Sequence, residues 1–188
     1  TKVHKRFDIS NLFAIFVASL SFHRRNTIMQ SKEIHIPINI YLLDELCAND
    51  QELMQAAIEA TKRSYAPYSH FSVGAAARLK DGTIITGTNQ ENAAYPSGIC
   101  AERTTLFYAN SQHPDQAVIT LAIAARNERG ELLDEPIPPC GACRQVMFET
   151  QTRFATPMRI LLYGNKGIYE LQHVGDLLPL SFSAATME

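Results

Sequence analysis

Two short cysteine-containing segments constrain the fold of this chain more than any other feature of its sequence. In one, Cys140 and Cys143 follow Pro139 at an i, i+3 spacing, and the other begins with Cys100. Good helix formers follow both segments, so the cysteines lie at predicted helix N-termini, where the dipole and free amide groups favour the thiolate. Thiolates bind zinc, and the i, i+3 spacing places two of them on one side of a helix. The sequence therefore predicts that two helices begin at one zinc ion.

Glu102 lies near the coordination position that three thiolates leave open. A structural zinc has that position filled by a fourth cysteine or a histidine, whereas a catalytic zinc keeps it for water. Because Glu102 follows Cys100 on the same predicted helix, its carboxylate is placed to act as a general base. A helix N-terminal acid favoured by the dipole, an effect of about 1 kcal/mol at most, is the simpler explanation of Glu102. It leaves the open position unexplained.

Four motifs occur in the order found in one known enzyme family. One motif consists of the two cysteine segments, 100–103 and 139–145. The other three are the segments 65–76, 89–96 and 177–182. Cys-Ala-Glu-Arg followed by Pro-Cys-Gly-Ala-Cys-Arg-Gln resembles the cytidine deaminases, of the small homotetrameric type with three zinc-binding cysteines. The other three segments resemble parts of the same family, so the resemblance runs from about residue 65 to residue 182.

The resemblance implies a fold, a reaction and a cofactor. The fold is α/β, a three-layer α/β/α sandwich around a mixed five-stranded sheet. The reaction is hydrolytic deamination of cytidine and deoxycytidine to uridine and deoxyuridine in pyrimidine salvage, with one Zn²⁺ per chain held by Cys100, Cys140 and Cys143. Glu102 would transfer the protons. Arg103 would donate hydrogen bonds to the ligand thiolates, for which Arg144 is a second candidate.

Five residues would contact the nucleoside. Asn89 and Glu91 would hold the ribose hydroxyls, and Ala101 would be a further substrate contact. Phe71 would stack on the base, and Phe182 would reach into a neighbouring subunit's site within a homotetramer. Ordinary alternatives exist: Asn89 is also a common turn residue and Glu91 a solvated charge. Phe71 and Phe182 equally fit as packing residues of their own subunit.

Composition limits the partners and the compartment. The chain has 188 residues, 46% of them hydrophobic and 19% charged, with a formal net charge of −2, so we expect one folded domain without the basic field that a nucleic acid would need. We expect a small-molecule nucleoside partner and no nucleic acid or membrane. The cysteine spacing favours reduced thiols on metal over disulfides, and therefore the cytoplasm. Cys47, the remaining cysteine, is predicted to be a buried core thiol.

Residues 1–28 differ from the rest of the chain. Basic residues flank an apolar run over residues 12–20, which is too short to span a membrane and lacks a clear signal-peptide cleavage site. Because Met29 opens a segment that reads as an ordinary protein start, we predict that residues 1–28 are an N-terminal extension outside the folded domain. Residues 29–188 are predicted to form the cytidine deaminase-like catalytic domain.

Hydrophobic periodicity predicts an initial hairpin followed by alternating strands and helices. The helix after the accessory strand has Asp50 as a possible N-cap. The predicted elements are an accessory edge strand over 34–40, a helix over 41–64, strands over 71–79 and 83–88, a helix over 100–110, a strand over 117–125, a helix over 141–149, strands over 158–163 and 167–171, and a short helix over 174–178.

Three other functions stay open. One is a related deaminase of a cytosine-like antibiotic or modified nucleoside, which the ribose-binding segment disfavours. Another is a non-catalytic zinc-binding module, against which Glu102 argues. The third, a nucleic-acid editing deaminase, conflicts with the net charge.

Overall fold

The computed structural model describes residues 30–187. The chain divides into two compact units, Thr1–Ile34 and His35–Glu188, and every helix and strand of the described residues lies in the second unit. The extension predicted for residues 1–28 lies outside the described residues. Among the residues that are described, no helix combines the length and the apolar character that crossing a membrane requires.

The second unit alternates strands and helices, as the hydrophobic periodicity predicts. In chain order its main elements are β1 (Asn39–Tyr41), α1 (Ala48–Ala60), β2 (Ser72–Leu79), β3 (Ile84–Thr88), α2 (Ala101–Gln112), β4 (Val118–Arg126), α3 (Gly141–Phe154), β5 (Arg159–Leu162) and β6 (Ile168–Leu171). The short helix predicted over 174–178 is a single 3₁₀ turn, Val174–Asp176.

The sheet has six strands in the order β1-β6-β5-β4-β2-β3. The β4–β5 pair is parallel and the other pairs are antiparallel, so the sheet is mixed as predicted. The prediction of five strands is wrong by one, because the accessory segment supplies β1 at the edge. Pro37 cannot donate to a ladder, and pairing starts after it. The side chains of Asn39 and Tyr41 then donate to Glu170 of β6, over 3.0 and 3.3 Å, and strengthen the pairing.

Helices cover both faces of the sheet, which confirms the three-layer sandwich. Helix α1 packs on one face and encloses a core with alternate residues of β2 and β4, including Ala76 and Ala122. Helices α2 and α3 pack on the opposite face with the intervening residues, including Ala75 and Leu121. A side chain at Gly74 of β2 would fall on the backbone of α1, so glycine is needed for this close helix–sheet approach.

The segment around α1 differs from the single long helix that was predicted. The helix proper begins after Cys47, which is its N-cap residue, and 3₁₀ turns flank it on both sides. Cys47 is exposed, so its prediction as a core thiol is wrong. Asp50 does not cap the helix. It is buried, and its carboxylate pairs with Arg159 of β5 over 2.7 Å, an interaction between residues far apart in sequence.

Candidate active site

Three thiols meet where helices α2 and α3 begin. Cys100 is the N-cap residue of α2 and Cys140 that of α3, while Cys143 lies buried in the first turn of α3. The Sγ atoms of Cys100 and Cys140 are 3.8 Å apart, and those of Cys140 and Cys143 are 3.5 Å apart. All three lie within 4.8 Å of one another, so the predicted convergence of two helix N-termini is present.

The spacing of these sulfur atoms fits one zinc ion. Tetrahedral coordination with Zn–S bonds of about 2.3 Å separates neighbouring sulfur atoms by about 3.8 Å, close to the distances in this cluster. A disulfide would bring two sulfur atoms to about 2.05 Å, and all three cysteines are free. Three thiolates leave a fourth tetrahedral position for another ligand. Cys100, Cys140 and Cys143 are therefore positioned to bind one zinc ion.

Hydrogen bonding within the cluster favours a thiolate at Cys100. The Cys143 thiol, assisted by Arg103, lowers the pKa of Cys100 to about 5. The same contact with Cys100, together with burial, raises the pKa of Cys143. The thiolate is the form of cysteine that binds zinc.

The two arginines near the thiols have different partners. Nη2 of Arg103 lies 3.8 Å from Sγ of Cys100, and the contact with Cys100 raises the pKa of Arg103. Arg144 was the second candidate for such a contact, and that prediction is wrong. Its guanidinium donates to the backbone carbonyls of Pro139 and Leu177 over 2.8 and 3.0 Å.

Glu102 is a buried carboxyl group in the first turn of α2. Only 4% of the residue is exposed, and this burial raises the pKa of its carboxyl group. Burial disfavours the ionised form of a carboxyl group, and ionisable groups with shifted pKa values are often found at functional sites. The residue lines the same cavity as Cys100 and Cys140.

That cavity has a volume of about 310 Å³ and contains most of the residues predicted to bind substrate. Beside Glu102 and two of the thiol residues, it is lined by Ser69, Phe71, Val73, Asn89, Glu91, Ala101, Ile137 and Pro138. Ile137 and Pro138 were not predicted, although their position directly before the Pro139 segment was a usable signal. Phe182 is not among the lining residues, and 61% of it is exposed.

Asn89 ties together the strands and loops beside the cavity. Its Oδ1 accepts hydrogen bonds from Ser64 Oγ and from the backbone N–H of Val73, the latter over 2.7 Å. Its Nδ2 donates to the backbone carbonyl of Phe71 over 2.8 Å. An amide nitrogen carries two hydrogens, so one N–H of Asn89 remains for a ligand.

Glu91 holds the loop that precedes β2. Its Oε2 accepts hydrogen bonds from the backbone N–H groups of Tyr68 and Ser69 over 2.9 and 3.2 Å. Hydrogen bonds from the Ser69 side chain and the Tyr68 backbone lower the pKa of Glu91, so its carboxylate is ionised at neutral pH. The next residue, His70, has a φ of 54° in the left-handed region, a strained conformation for a non-glycine residue. None of these partners of Glu91 was predicted from the sequence.

A second cavity, of about 280 Å³, also borders Asn89, Glu91 and Cys100. Its other lining residues include Tyr95 and Arg103. Tyr95 is 78% exposed, and its ring makes an edge contact with Tyr68, with 6.3 Å between the ring centroids. Asn89 and Glu91 therefore border two cavities, whose other lining residues differ apart from Cys100.

Comparison with known proteins identifies the family. Residues 47–156 match the model of the cytidine and deoxycytidylate deaminase zinc-binding region. A curated cytidine deaminase from Halalkalibacterium halodurans is 42% identical over 137 residues, which cover 73% of this chain and 96% of the relative. The chain belongs to the cytidine deaminase family.

Solved structures show the same relationship. The crystal structure of cytidine deaminase from Burkholderia pseudomallei is similar with a TM-score of 0.58 and 39% sequence identity, covering 70% of this chain and 97% of that one. The cytidine deaminase from Mycobacterium tuberculosis gives a TM-score of 0.57 and 31% identity, covering 73% and 99% of the two chains. The predicted family and the α/β fold class are confirmed. The matched family region and the three-thiol cluster both support a zinc site.

Proposed function

We propose that this protein is a zinc-dependent hydrolase that converts cytidine and deoxycytidine to uridine and deoxyuridine with release of ammonia, a reaction of pyrimidine salvage. The observation that carries the proposal is the buried carboxyl group of Glu102 in one cavity with the zinc-binding thiols. A purely structural zinc site needs four protein ligands and no such carboxyl group. The close relatives named cytidine deaminase support the choice of substrate.

Glu102 carries the proton transfers in this proposal. Zinc, when bound, supplies Lewis-acid activation of water. Glu102 takes a proton from the attacking water, whose oxygen bonds to C4 of the cytosine ring, and gives that proton to N3. It then takes the proton of the new C4 hydroxyl group and gives it to the amine, which leaves as ammonia when the bond between C4 and the amine nitrogen breaks. Burial raises the pKa of Glu102. This favours the protonated form that Glu102 must hold between accepting a proton and delivering it.

Arg103 offsets the negative charge of the thiolates. Three thiolates on Zn²⁺ leave a formal charge of −1, which would weaken the ion as an acid. The guanidinium of Arg103, 3.8 Å from Sγ of Cys100, draws electron density from that sulfur. The N-termini of α2 and α3 act in the same direction.

The nucleoside is held by residues on the loops around the cavity. Asn89 offers its remaining N–H, and Glu91 offers carboxylate oxygen, to the ribose hydroxyls. Phe71 stacks on the base, and Ala101, between Cys100 and Glu102, contacts it near the reacting atoms.

The active unit is a homotetramer with shared sites. The ring of Phe182 is largely exposed and does not line the cavity of its own subunit, which supports its use in the cavity of a neighbour. The reduced thiols that bind zinc favour a cytoplasmic location.

The proposal is tested by incubating the purified protein with cytidine and with deoxycytidine while following the loss of ultraviolet absorbance and the release of ammonia. We expect both substrates to be converted, and a chelator to abolish the conversion until zinc is restored. Zinc content measured on the same samples should be one ion per chain. Conversion that continues in a protein shown to lack metal would contradict the proposal, and so would inactivity of the fully loaded protein toward both nucleosides.

A further inference from the structure

The guanidinium group of Arg144 joins two distant parts of the backbone. Arg144 follows Cys143 in the first turn of α3, and its Nε donates to the carbonyl of Pro139 over 2.8 Å. Its Nη1 donates to the carbonyl of Leu177 over 3.0 Å. Because Pro139 directly precedes Cys140, one rigid group links the thiol-bearing turn to residues 177–182, the C-terminal segment.

Gln145 holds the other end of the C-terminal segment. Its Nε2 donates to the carbonyl of Phe182 over 3.0 Å. Leu177 is packed against the core, whereas the side chains of Leu180 and Phe182 are exposed. The segment is therefore attached to α3 through its backbone carbonyls while its apolar side chains remain available for contacts elsewhere.

The C-terminal segment has little regular structure to hold it in place. Residues 179–182 lie in no helix or strand, so the backbone entropy lost on ordering them must be offset by other contacts. Arginine suits this position because its planar group presents several N–H donors in a fixed geometry. The ammonium group of lysine is a point charge on a flexible stem.

We propose that Arg144 and Gln145 are positioning residues. They fix the C-terminal segment on the helix that carries Cys140 and Cys143, and so they present the ring of Phe182 at a defined place for binding the nucleoside. This inference rests on the proposed function, since it takes deamination as the reaction that the positioned ring serves.

Kinetics of two variants test the positioning. Arg144→Lys keeps the positive charge and loses the fixed donor geometry, and Gln145→Ala removes the bond to Phe182. Losing one hydrogen bond that serves substrate binding should raise the KM for cytidine about tenfold. Because the chemistry at Glu102 is untouched, kcat should change less than about threefold, with one zinc retained per chain. Arg153→Lys is the matched control on the same helix, where the arginine donates to the carbonyl of Pro114, and its kinetics should equal those of the parent.

Amide hydrogen exchange of residues 178–182, measured by mass spectrometry, provides a readout that needs no activity. We expect faster exchange in Arg144→Lys and Gln145→Ala than in the parent and Arg153→Lys. Faster exchange with an unchanged KM, unchanged exchange, or a loss of zinc that accounts for the kinetic change would each overturn the inference. A parent protein that does not deaminate cytidine but shows the exchange difference would refute the proposed function while supporting the attachment of the segment.

Discussion

The thiol cluster and the loops beside it, which meet in one cavity, are held in place in different ways. Cys140 and Cys143 are fixed by the geometry of a single helical turn, and Cys100 by the start of a second helix. Asn89 and Glu91 are fixed by hydrogen bonds to backbone groups between 16 and 23 positions away in the chain.

Under the proposed function, this difference separates the residues that carry the reaction from those that bind the nucleoside. Groups on rigid helix ends keep the distances that a metal and a proton relay require. Groups on loops are held by a few side-chain bonds, so changes there alter substrate binding and local stability before they alter the reaction. Substitutions in the thiol cluster or at Glu102 should therefore change zinc content or kcat, whereas substitutions in the loops should change KM and stability.

The largest expected effect comes from the thiol cluster. Cys140→Ala removes the residue whose sulfur contacts both other thiols, and we expect loss of stoichiometric zinc and of all measurable deamination. Metal analysis after dialysis and the cytidine assay check this. Cys47→Ala is the control, because Cys47 is exposed and lies outside the three-thiol group, and it should keep both zinc and activity. Zinc retained at one per chain in Cys140→Ala would refute the ligand set.

Glu102→Gln should separate chemistry from metal binding. Loss of a general acid and base lowers kcat by about 10² or more, while the zinc content stays at the parent level. Burial penalises the charged form of Glu102, so a neutral glutamine should not lower the melting temperature. Turnover at the parent rate in this variant would assign the proton transfers to another group.

Asn89→Leu tests the loop region, where stability and binding should change together. The substitution leaves the backbone groups of Val73 and Phe71 without their partners, at a cost of about 1–3 kcal/mol in the free energy of unfolding. KM for cytidine should also rise. Glu91→Gln is the comparison, because its side-chain oxygen still accepts from the backbone of Tyr68 and Ser69. Denaturant titration should therefore show a smaller loss of stability, and equal losses in both variants would contradict the assigned role of Asn89.

Phe182→Ala should give the smallest loss of stability and bears on whether sites are shared. We expect KM to rise at least about tenfold with a melting temperature close to that of the parent, because the ring is mostly exposed in its own subunit. Leu180→Ala, at a position that is 86% exposed, is the matched control and should leave KM unchanged. Light scattering coupled to the assay completes the test. A monomer with full activity would rule out the shared site.

The sequence predicted the fold class and the order of its elements well, and the errors have physical causes. The alternating apolar residues of β2 indicated a strand. The continuous apolar run of β4 indicated a strand covered on both faces, which the two cores confirm. The sixth strand was not counted in the main sheet because β1 pairs with β6, where the side chains of Asn39 and Tyr41 also donate to Glu170. These partners are 131 and 129 positions apart in the chain.

For the site, the sequence by itself determined the residues whose placement is local. The i, i+3 thiols, the glutamate in the first turn of α2 and the arginine beside it follow from helix geometry, which is encoded within a few positions. Only the tertiary structure decided that Arg144 turns to Leu177, that Asp50 pairs with Arg159 and that Glu91 holds the Tyr68 loop. A long polar side chain bonds to whichever group packing brings within reach, and that neighbour is set by chain segments far away in sequence.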